Sequence, residues 1–453
     1  MDDDLELVTG WGRNPTTASH VVRPTSADEL AKASLDAGPR GVIARGLGRA
    51  YGDAAMNAGG LVVEATGVTG VLDLDPVTGV VRALAGTSFD DLMRVTIPQG
   101  WFVPVTPGTR FVTIGGAIAS DVHGKDHHAA GTFGLHVRSM VLGLPDGTTR
   151  VLTPESTPDE LWATCGGMGL TGTIVEATIA LRPIETSLIS TDIDRAPDLD
   201  SALALLTKGE HRYRASAAWI DLVARGRNMG RSVLYQGDFA TLEQFEADGR
   251  TGDPLAFDPP KLVPAPPAPS GLLNRFSIRA FNELWFRKEP RRRRDELQTI
   301  TKFYYPLDMF DHWNRLYGPR GFLQWQCLVP FGQEDLLRWV VESISGSHTA
   351  SFLAVLKRFG PASPGPLSFP GPGWTLALDI PVGGQSLRDL LTGLDHRIAE
   401  SGGRVYLAKD SVLHPELVPR MYPRLDEWRS VRDRLDPERR LTSDLARRLH
   451  LLG

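Results

Sequence analysis

The stretch Gly115–His128, GGAIASDVHGKDHH, sets a run almost free of side chains against a dense cluster of histidines and charges. Gly115, Gly116, Ala117 and Ala119 let the backbone come within contact of a bulky planar group, because no side chain holds it away. His123 and Lys125 would then be polar groups at the edge of that plane. A zinc site is the competing reading, since His123 and His127 stand four apart and His128 and His136 follow. Gly124 falls inside that window and no HExxH-type acid accompanies the pair, so the pattern favours a backbone surface and no metal.

A second glycine cluster lies upstream. The apolar run GVIA leads into ARGLGRAYGD (Ala44 to Asp53), and GLVVEA follows as another strand-like run. Gly46, Gly48 and Gly52 can expose N–H groups to a pyrophosphate, with Arg45 or Arg49 adding charge. The spacing G-x-G-x-x-x-G is neither that of a nicotinamide-binding Rossmann turn nor, without Gly-Lys-Ser/Thr, a Walker loop. Taken alone, the cluster reads equally well as a structural turn.

At 453 residues the chain is too long for one ordinary core, so two domains, or one with a large insertion, are expected. A net charge of −5 gives no global reason to bind nucleic acid. Cys165 and Cys327 are too few for a disulfide framework or a four-cysteine zinc site and read as free, buried thiols. MDDDLELVTGWGRN lacks the basic start and apolar core of a secretory signal, and no apolar run is long enough to span a bilayer.

The first part of the chain is dense in strands and glycine turns. One hairpin turns at Pro76 to Gly79 and precedes a helix that Ser88 can cap; a second turns at Pro145 to Gly147. Past about Pro183 the glycine loops thin out. Asp253 to Gly271 is too proline-rich for helix or strand and reads as a long mobile loop. Next, FNELWFRKEPRRRR joins Phe281, Leu284, Trp285 and Phe286 to Arg287, Lys288 and Arg291 through Arg294. Two readings stand: a greasy face beside a polybasic patch suited to a membrane surface, or a solvated basic turn beside core aromatics. Near the end, Trp428, Val431 and Leu435 give helical spacing before the break at Asp436-Pro437.

Together, ARGLGRAYGD and PGTRFVTIGGAIASDVHGKDHH resemble the FAD-binding half of the vanillyl-alcohol-oxidase type flavoproteins, which hold the dinucleotide without a Rossmann fold. HGKDHHAAGTFGLHVRSM, FYYPLDMFDHWNRLYGPRGFLQWQ, PLSFPGPGW and YLAKDS extend the resemblance, over nearly the whole chain, to the decaprenylphosphoryl-β-D-ribose 2'-oxidases of actinobacteria. The resemblance implies an α+β fold, with an FAD-binding domain from 1–186 and 404–453 and a substrate domain, built on an antiparallel sheet, from 187–403. A mobile segment, 253–294, would cover the pocket and meet the membrane. It implies non-covalent FAD and oxidation of a ribose 2'-hydroxyl on a polyprenyl phosphate to the 2'-keto intermediate. A separate NAD(P)-dependent reductase partner would return that intermediate with inverted configuration, giving the arabinose donor for cell-wall arabinan. The location implied is peripheral to the membrane on the periplasmic side, although no signal is visible.

By the same resemblance the FAD contacts are Ala44, Arg45, Gly46, Leu47, Gly48, Arg49, Ala50, Tyr51, Gly52, Asp53, Ala54, Gly108, Thr113, Ile114, Gly115, Gly116, Ser120, Asp121, Val122, His123, Ile174 and Tyr406. The substrate contacts are Trp219, Tyr304, Gln324, Gln326, Lys357 and Lys409. By the resemblance, mycobacterial members have a cysteine where this chain has Ala377, a departure that puts thiol-directed inhibition in doubt and leaves catalysis untouched. Oxidising a secondary alcohol needs a proton acceptor beside the flavin, and Lys409, His123 and Tyr304 are the candidates. A lysine serves as base only with a depressed pKa; otherwise Lys409 stays charged and orients the hydroxyl. Rival readings are a flavin oxidase of a soluble alditol or aldonolactone, a non-catalytic polyprenyl-phosphate binder and, more distantly, a zinc hydrolase.

Overall fold

The computed structural model describes residues 5–260, 262–265, 271, 274–347, 351 and 353–453. The expected strand, glycine loop, strand is present: β3 (Val42–Arg45) and β4 (Leu61–Glu64) run parallel, joined by the loop carrying Gly46 to Ala54. With β1 (Glu6–Thr9) and β2 (Thr16–Val22) they make a four-stranded sheet of order β1-β2-β4-β3. Both expected hairpins form in a five-stranded sheet. β5 (Val71–Leu74) pairs with β6 (Val80–Leu84), and β7 (Val137–Gly143) with β8 (Thr149–Leu152); β9 (Thr173–Ala180) lies between β6 and β7. Helix α1 (Phe89–Thr96) starts where Ser88 accepts a bond from the Asp91 N–H at 3.0 Å, with Asp90 and Asp91 facing the positive helix end. Helix α2 (Ile114–Ala119) carries the glycine pair.

The second part of the chain builds an eight-stranded sheet from β10 (Leu188–Ala196), β11 (Ala215–Ile220), β12 (Ser232–Phe239), β13 (Arg292–Thr299), β14 (Phe322–Pro330), β15 (Ala354–Phe359), β16 (Gly373–Pro381) and β17 (Arg404–Val405). Its order is β13-β10-β12-β11-β15-β16-β14-β17, every pairing antiparallel. Strand side chains alternate between faces. Leu234, Ala218, Leu356, Leu376, Leu378, Leu323 and Trp325 supply one face to the core, where they meet α4 (Leu199–Gly209), α6 (Glu334–Gly346) and α7 (Gln385–Glu400). The opposite face carries Gln324, Gln326, Thr375, Asp379 and Lys357. Helix α3 (Pro158–Thr164) receives the Trp428 indole of α8 (Leu425–Leu435), which donates to Ala163 O at 3.0 Å; α9 (Asp444–Arg448) follows.

Two segments differ from the sequence reading. FNELWFRK lies within α5 (Arg275–Lys288), and Arg292 to Arg294 open the edge strand β13 instead of a turn. Cross-strand charge explains this: Arg294 pairs with Asp194 of β10 at 2.7 Å and with Asp192 at 3.4 Å. Within β13 itself, Arg293 pairs with Glu296 at 2.5 Å. In the proline-rich loop, Val263–Pro264 makes a two-residue parallel pairing with Phe310–Asp311, a minimal edge contact that proline tolerates. Residues 261, 266–270, 272 and 273 of the expected mobile segment lie outside the described residues.

Candidate active site

Four distant segments converge beside α2. Thr113 caps the helix, its Oγ1 accepting from the Gly116 N–H at 3.1 Å. Gly46 lies so close that a Cβ there would strike the Thr113 side chain, and Gly48 adopts φ +63°, which suits glycine. The Tyr51 N–H donates to Ala408 O at 3.0 Å, Tyr406 Oη donates to Ser120 O at 2.7 Å, and Ile174 stands beside Gly115. Arg448 fastens the two loops, binding Asp53 at 2.8 Å and Asp410 at 2.9 Å. Ile114, Ala117 and Ile118 are buried, which leaves Gly115, Gly116, Ala119 and Ser120 partly open on one side of α2. A helix face without bulky side chains fits a flat ring system laid against backbone, and the space around Gly108 is open.

The arginines of the loop also bind backbone carbonyls. Arg45 donates to Ala55 O at 3.1 Å and Thr9 O at 2.7 Å; Arg49 donates to Phe111 O at 3.0 Å and lies 3.7 Å over the Trp11 ring. These contacts hold the loop in shape.

The polar face of the eight-stranded sheet lies next to this cradle. Register places Gln326 opposite Ala377, Ala377 opposite Val355 and Val355 opposite Trp219, so one row crosses four strands. Gln324 sits opposite Asp379 and donates to it, and Tyr317 Oη donates to the same carboxylate at 3.3 Å. The Gln326 amide joins His123 Nε2 at 2.9 Å and Thr375 Oγ1 at 2.8 Å. At the far end, Trp219 packs with Val233, Tyr235 and the α5 residues Trp285 and Phe286. Helix α5 is pinned there by Asn282 donating to Asp221 at 2.7 Å and by Arg231 binding Glu283 at 2.7 Å.

Burial drives the electrostatics. The Lys357 ammonium is pushed down to about 7, first by desolvation and then by Lys409 and Lys125, with Asp126 opposing. Lys409 is lowered by burial while the Asp379 carboxylate opposes the shift, and burial raises Asp379 in turn. Desolvation and the lysine charges hold His123 well below the usual imidazole range and His127 down at about 3, so both rings are neutral. Burial raises the Tyr304 phenol well above its ordinary value, which keeps its proton on. His123 Nδ1, Gln324 Oε1, Gln326 Oε1, Asp126 Oδ1 and His127 Nε2 are buried and without hydrogen-bond partners among the described residues. Such orphans fit a pocket that takes a ligand rich in hydroxyl and amide groups.

The histidine cluster diverges. His127 Nδ1 receives the Gly360 N–H at 3.1 Å, His128 Nε2 meets Tyr213 O at 2.8 Å and His136 Nε2 meets Ala130 O at 2.9 Å. Among the described residues no three His, Cys, Asp or Glu are placed to hold a metal.

Comparison with known proteins decides what this cradle belongs to. Residues 18–153 match the FAD binding domain family and 387–449 match the D-arabinono-1,4-lactone oxidase family. The chain is 44% identical, over 98% of its length and 97% of the relative's, to decaprenylphosphoryl-β-D-ribose oxidase of Mycolicibacterium smegmatis. The chain belongs to that oxidase family. An uncharacterised protein of Streptomyces coelicolor is 41% identical over 80% of this chain and 99% of its own length. The alditol oxidase of a Streptomyces species is 25% identical over 39% of this chain and 42% of that one. The protein is therefore an FAD-dependent oxidoreductase of the vanillyl-alcohol-oxidase type, with an α+β fold.

Within that family architecture, the structure gathers Lys409, His123, Gln324, Gln326 and Lys357 into one cluster. Tyr304 stands on its Asp126 side, packed against Phe102 with ring centroids 5.5 Å apart. Sequence reasoning missed Asp379, Asp126 and Thr375. The signal for Asp379 was available: an acid between Leu378 and Ile380 in a strand that is otherwise apolar needs a partner.

Proposed function

We propose that the protein oxidises the ribose 2'-hydroxyl of decaprenylphosphoryl-β-D-ribose to the 2'-keto compound, the first half of an epimerisation. The observation that carries this reading is the Gln326–His123 contact at 2.9 Å with the half-buried Lys409 and the buried Asp379, each within the other's electrostatic reach, beside it, next to the side-chain-free face of α2. The residues from Ala44 to Ala54, Thr113 to Gly116, Ser120 to His123, Gly108, Ile174 and Tyr406 would hold FAD, which when bound accepts the hydride from C2'. Neutral Lys409 takes the hydroxyl proton at Nζ, because burial has already lowered the cost of carrying that group uncharged. Tyr304 keeps its own proton and acts as a donor at most. Gln324, Gln326 and Lys357 orient the sugar, and Trp219 closes the row. The proposed division follows: residues 1–186 and 404–453 hold the cofactor, and 187–403 the substrate.

Trapping the product with borodeuteride tests the regiochemistry. Deuterium at C2' of both ribo and arabino products is expected; deuterium elsewhere, or turnover only of free alditols, overturns the assignment.

Membrane contact at α5 and the arginines after it belongs to the same proposal, as do a periplasmic location, a separate reductase partner and a role in cell-wall arabinan. Among the described residues no helix is long and apolar enough to cross a membrane. Phe276 is 86% and Leu284 71% exposed, and Arg291 and Arg292 are exposed on the edge next to α5. Since carboxylates already neutralise Arg293 and Arg294, the expected effect concentrates on the other two. Exchanging Arg291 and Arg292 for glutamine should weaken sedimentation with anionic vesicles by about 30-fold, at roughly 1 kcal/mol per charge. Unchanged sedimentation would contradict membrane docking there.

A further inference from the structure

Gln326 and His123 face each other through atoms whose roles depend on where hydrogens sit, and one neighbour settles those roles. Thr375 lies on the same face of the sheet, in β16, with its Oγ1 2.8 Å from Cys327 O. A carbonyl oxygen only accepts, so the single Thr375 hydroxyl hydrogen points to Cys327 O and Oγ1 is left as an acceptor. The Gln326 atom 2.8 Å from that Oγ1 must then be the amide nitrogen. Its second hydrogen points to His123 Nε2 at 2.9 Å. An Nε2 that accepts carries no hydrogen, so the neutral ring bears its proton on Nδ1.

We propose that Thr375 is a positioning residue that fixes His123 as the Nδ1–H tautomer and turns Gln326 Oε1 toward the bound sugar. The two buried atoms without partners are the two that this arrangement frees, His123 Nδ1 as a donor and Gln326 Oε1 as an acceptor. A hydroxyl both gives and takes hydrogen bonds, so a donor and an acceptor on one wall match a diol or a hydroxyl beside a flavin carbonyl. The arrangement also removes His123 from the contest for the substrate proton, because the nitrogen that could accept it is engaged. Phe359, Phe369 and Tyr406 pack around the ring, at centroid distances of 4.9, 5.5 and 5.1 Å, and keep it from turning over. The contribution to turnover rests on the proposed function; the hydrogen arrangement does not.

The test is a long-range ¹H–¹⁵N correlation spectrum of the FAD-loaded protein labelled at histidine nitrogen, with His123 assigned by the peak lost in His123→Gln. Without any substrate, His123 should show a protonated Nδ1 and a bare Nε2. Thr375→Ser should keep that pattern. Thr375→Val keeps the shape and loses the acceptor, so the amide can turn and the Nε2–H form should appear. With polyprenylphosphoryl ribose, kcat/KM should fall about tenfold in Thr375→Val, the size of one neutral hydrogen bond, and recover most of that loss in Thr375→Ser. A wild-type ring protonated at Nε2 or at both nitrogens overturns the proposal, as does a Thr375→Val spectrum identical to wild type. If Thr375→Val fails to fold, the wild-type spectrum with Thr375→Ser still decides. The expected tautomer without turnover of the lipid-linked sugar would uphold the relay and sink the substrate assignment instead.

Discussion

With Lys409 replaced by methionine, the protein is expected to purify yellow and folded and to oxidise polyprenylphosphoryl ribose about 10²–10⁴-fold more slowly, the range that a positioned general base supplies. Methionine keeps the unbranched stem, so the loss reports the amine. Because the active form is the neutral amine, the rate rises as pH climbs through the lowered Lys409 pKa. The Asp379 charge holds that pKa up, against burial. Asp379→Asn removes the charge, and the acidic limb of kcat/KM should move to lower pH. A limb that stays in place would put the base elsewhere, as would a Lys409→Met enzyme within a few fold of wild type.

Substituting leucine for Gly116 should yield a folded apoprotein that does not retain FAD. A Cβ at this position meets only Thr113 Oγ1, at 3.0 Å, so the helix tolerates it with a small adjustment. The rest of the leucine side chain would stand on the open face between Gly115 and Ala119, in the space a ring system needs. A bulky group there cannot be accommodated by repacking, because Ala117 and Ile118 on the other side of α2 are fully buried. The expected loss of FAD affinity is at least about 100-fold, on the order of 3 kcal/mol of overlap. The flavin absorbance after gel filtration checks it, with circular dichroism confirming the fold. A yellow, stoichiometric Gly116→Leu protein would contradict the cradle at α2.

Much of this site was legible because glycine and turn chemistry is local. The hairpins at Pro76 and Pro145, the Ser88 cap and the side-chain-free face at Gly115 each follow from residues within a few positions of one another. The convergence of Gly46, Thr113 and Tyr406 was legible only through family resemblance, since no periodicity in the chain links segments so far apart. Of the two readings open for the arginines after Glu289, neither foresaw a strand, because its pairing is written in Asp192 and Asp194, some hundred positions earlier. Arg45 and Arg49, either of which the sequence offered as charge for a pyrophosphate, donate to the backbone carbonyls of Thr9, Ala55 and Phe111, contacts that no local pattern announces. Asp379 and Thr375 went unseen for a related reason: in GWTLALDIP they alternate with core residues, and only the pairing with β14 shows which face they serve. Ala377 lies in that same row between Gln326 and Val355, on the polar face of the sheet.

The most direct test of the central claim is an anaerobic absorbance spectrum of the FAD-loaded protein before and after addition of decaprenylphosphoryl ribose. Bleaching of the flavin band by this substrate, and not by a soluble alditol or an aldonolactone at the same concentration, is the predicted result. A flavin that stays oxidised with the lipid-linked sugar and bleaches with a soluble polyol would contradict the account.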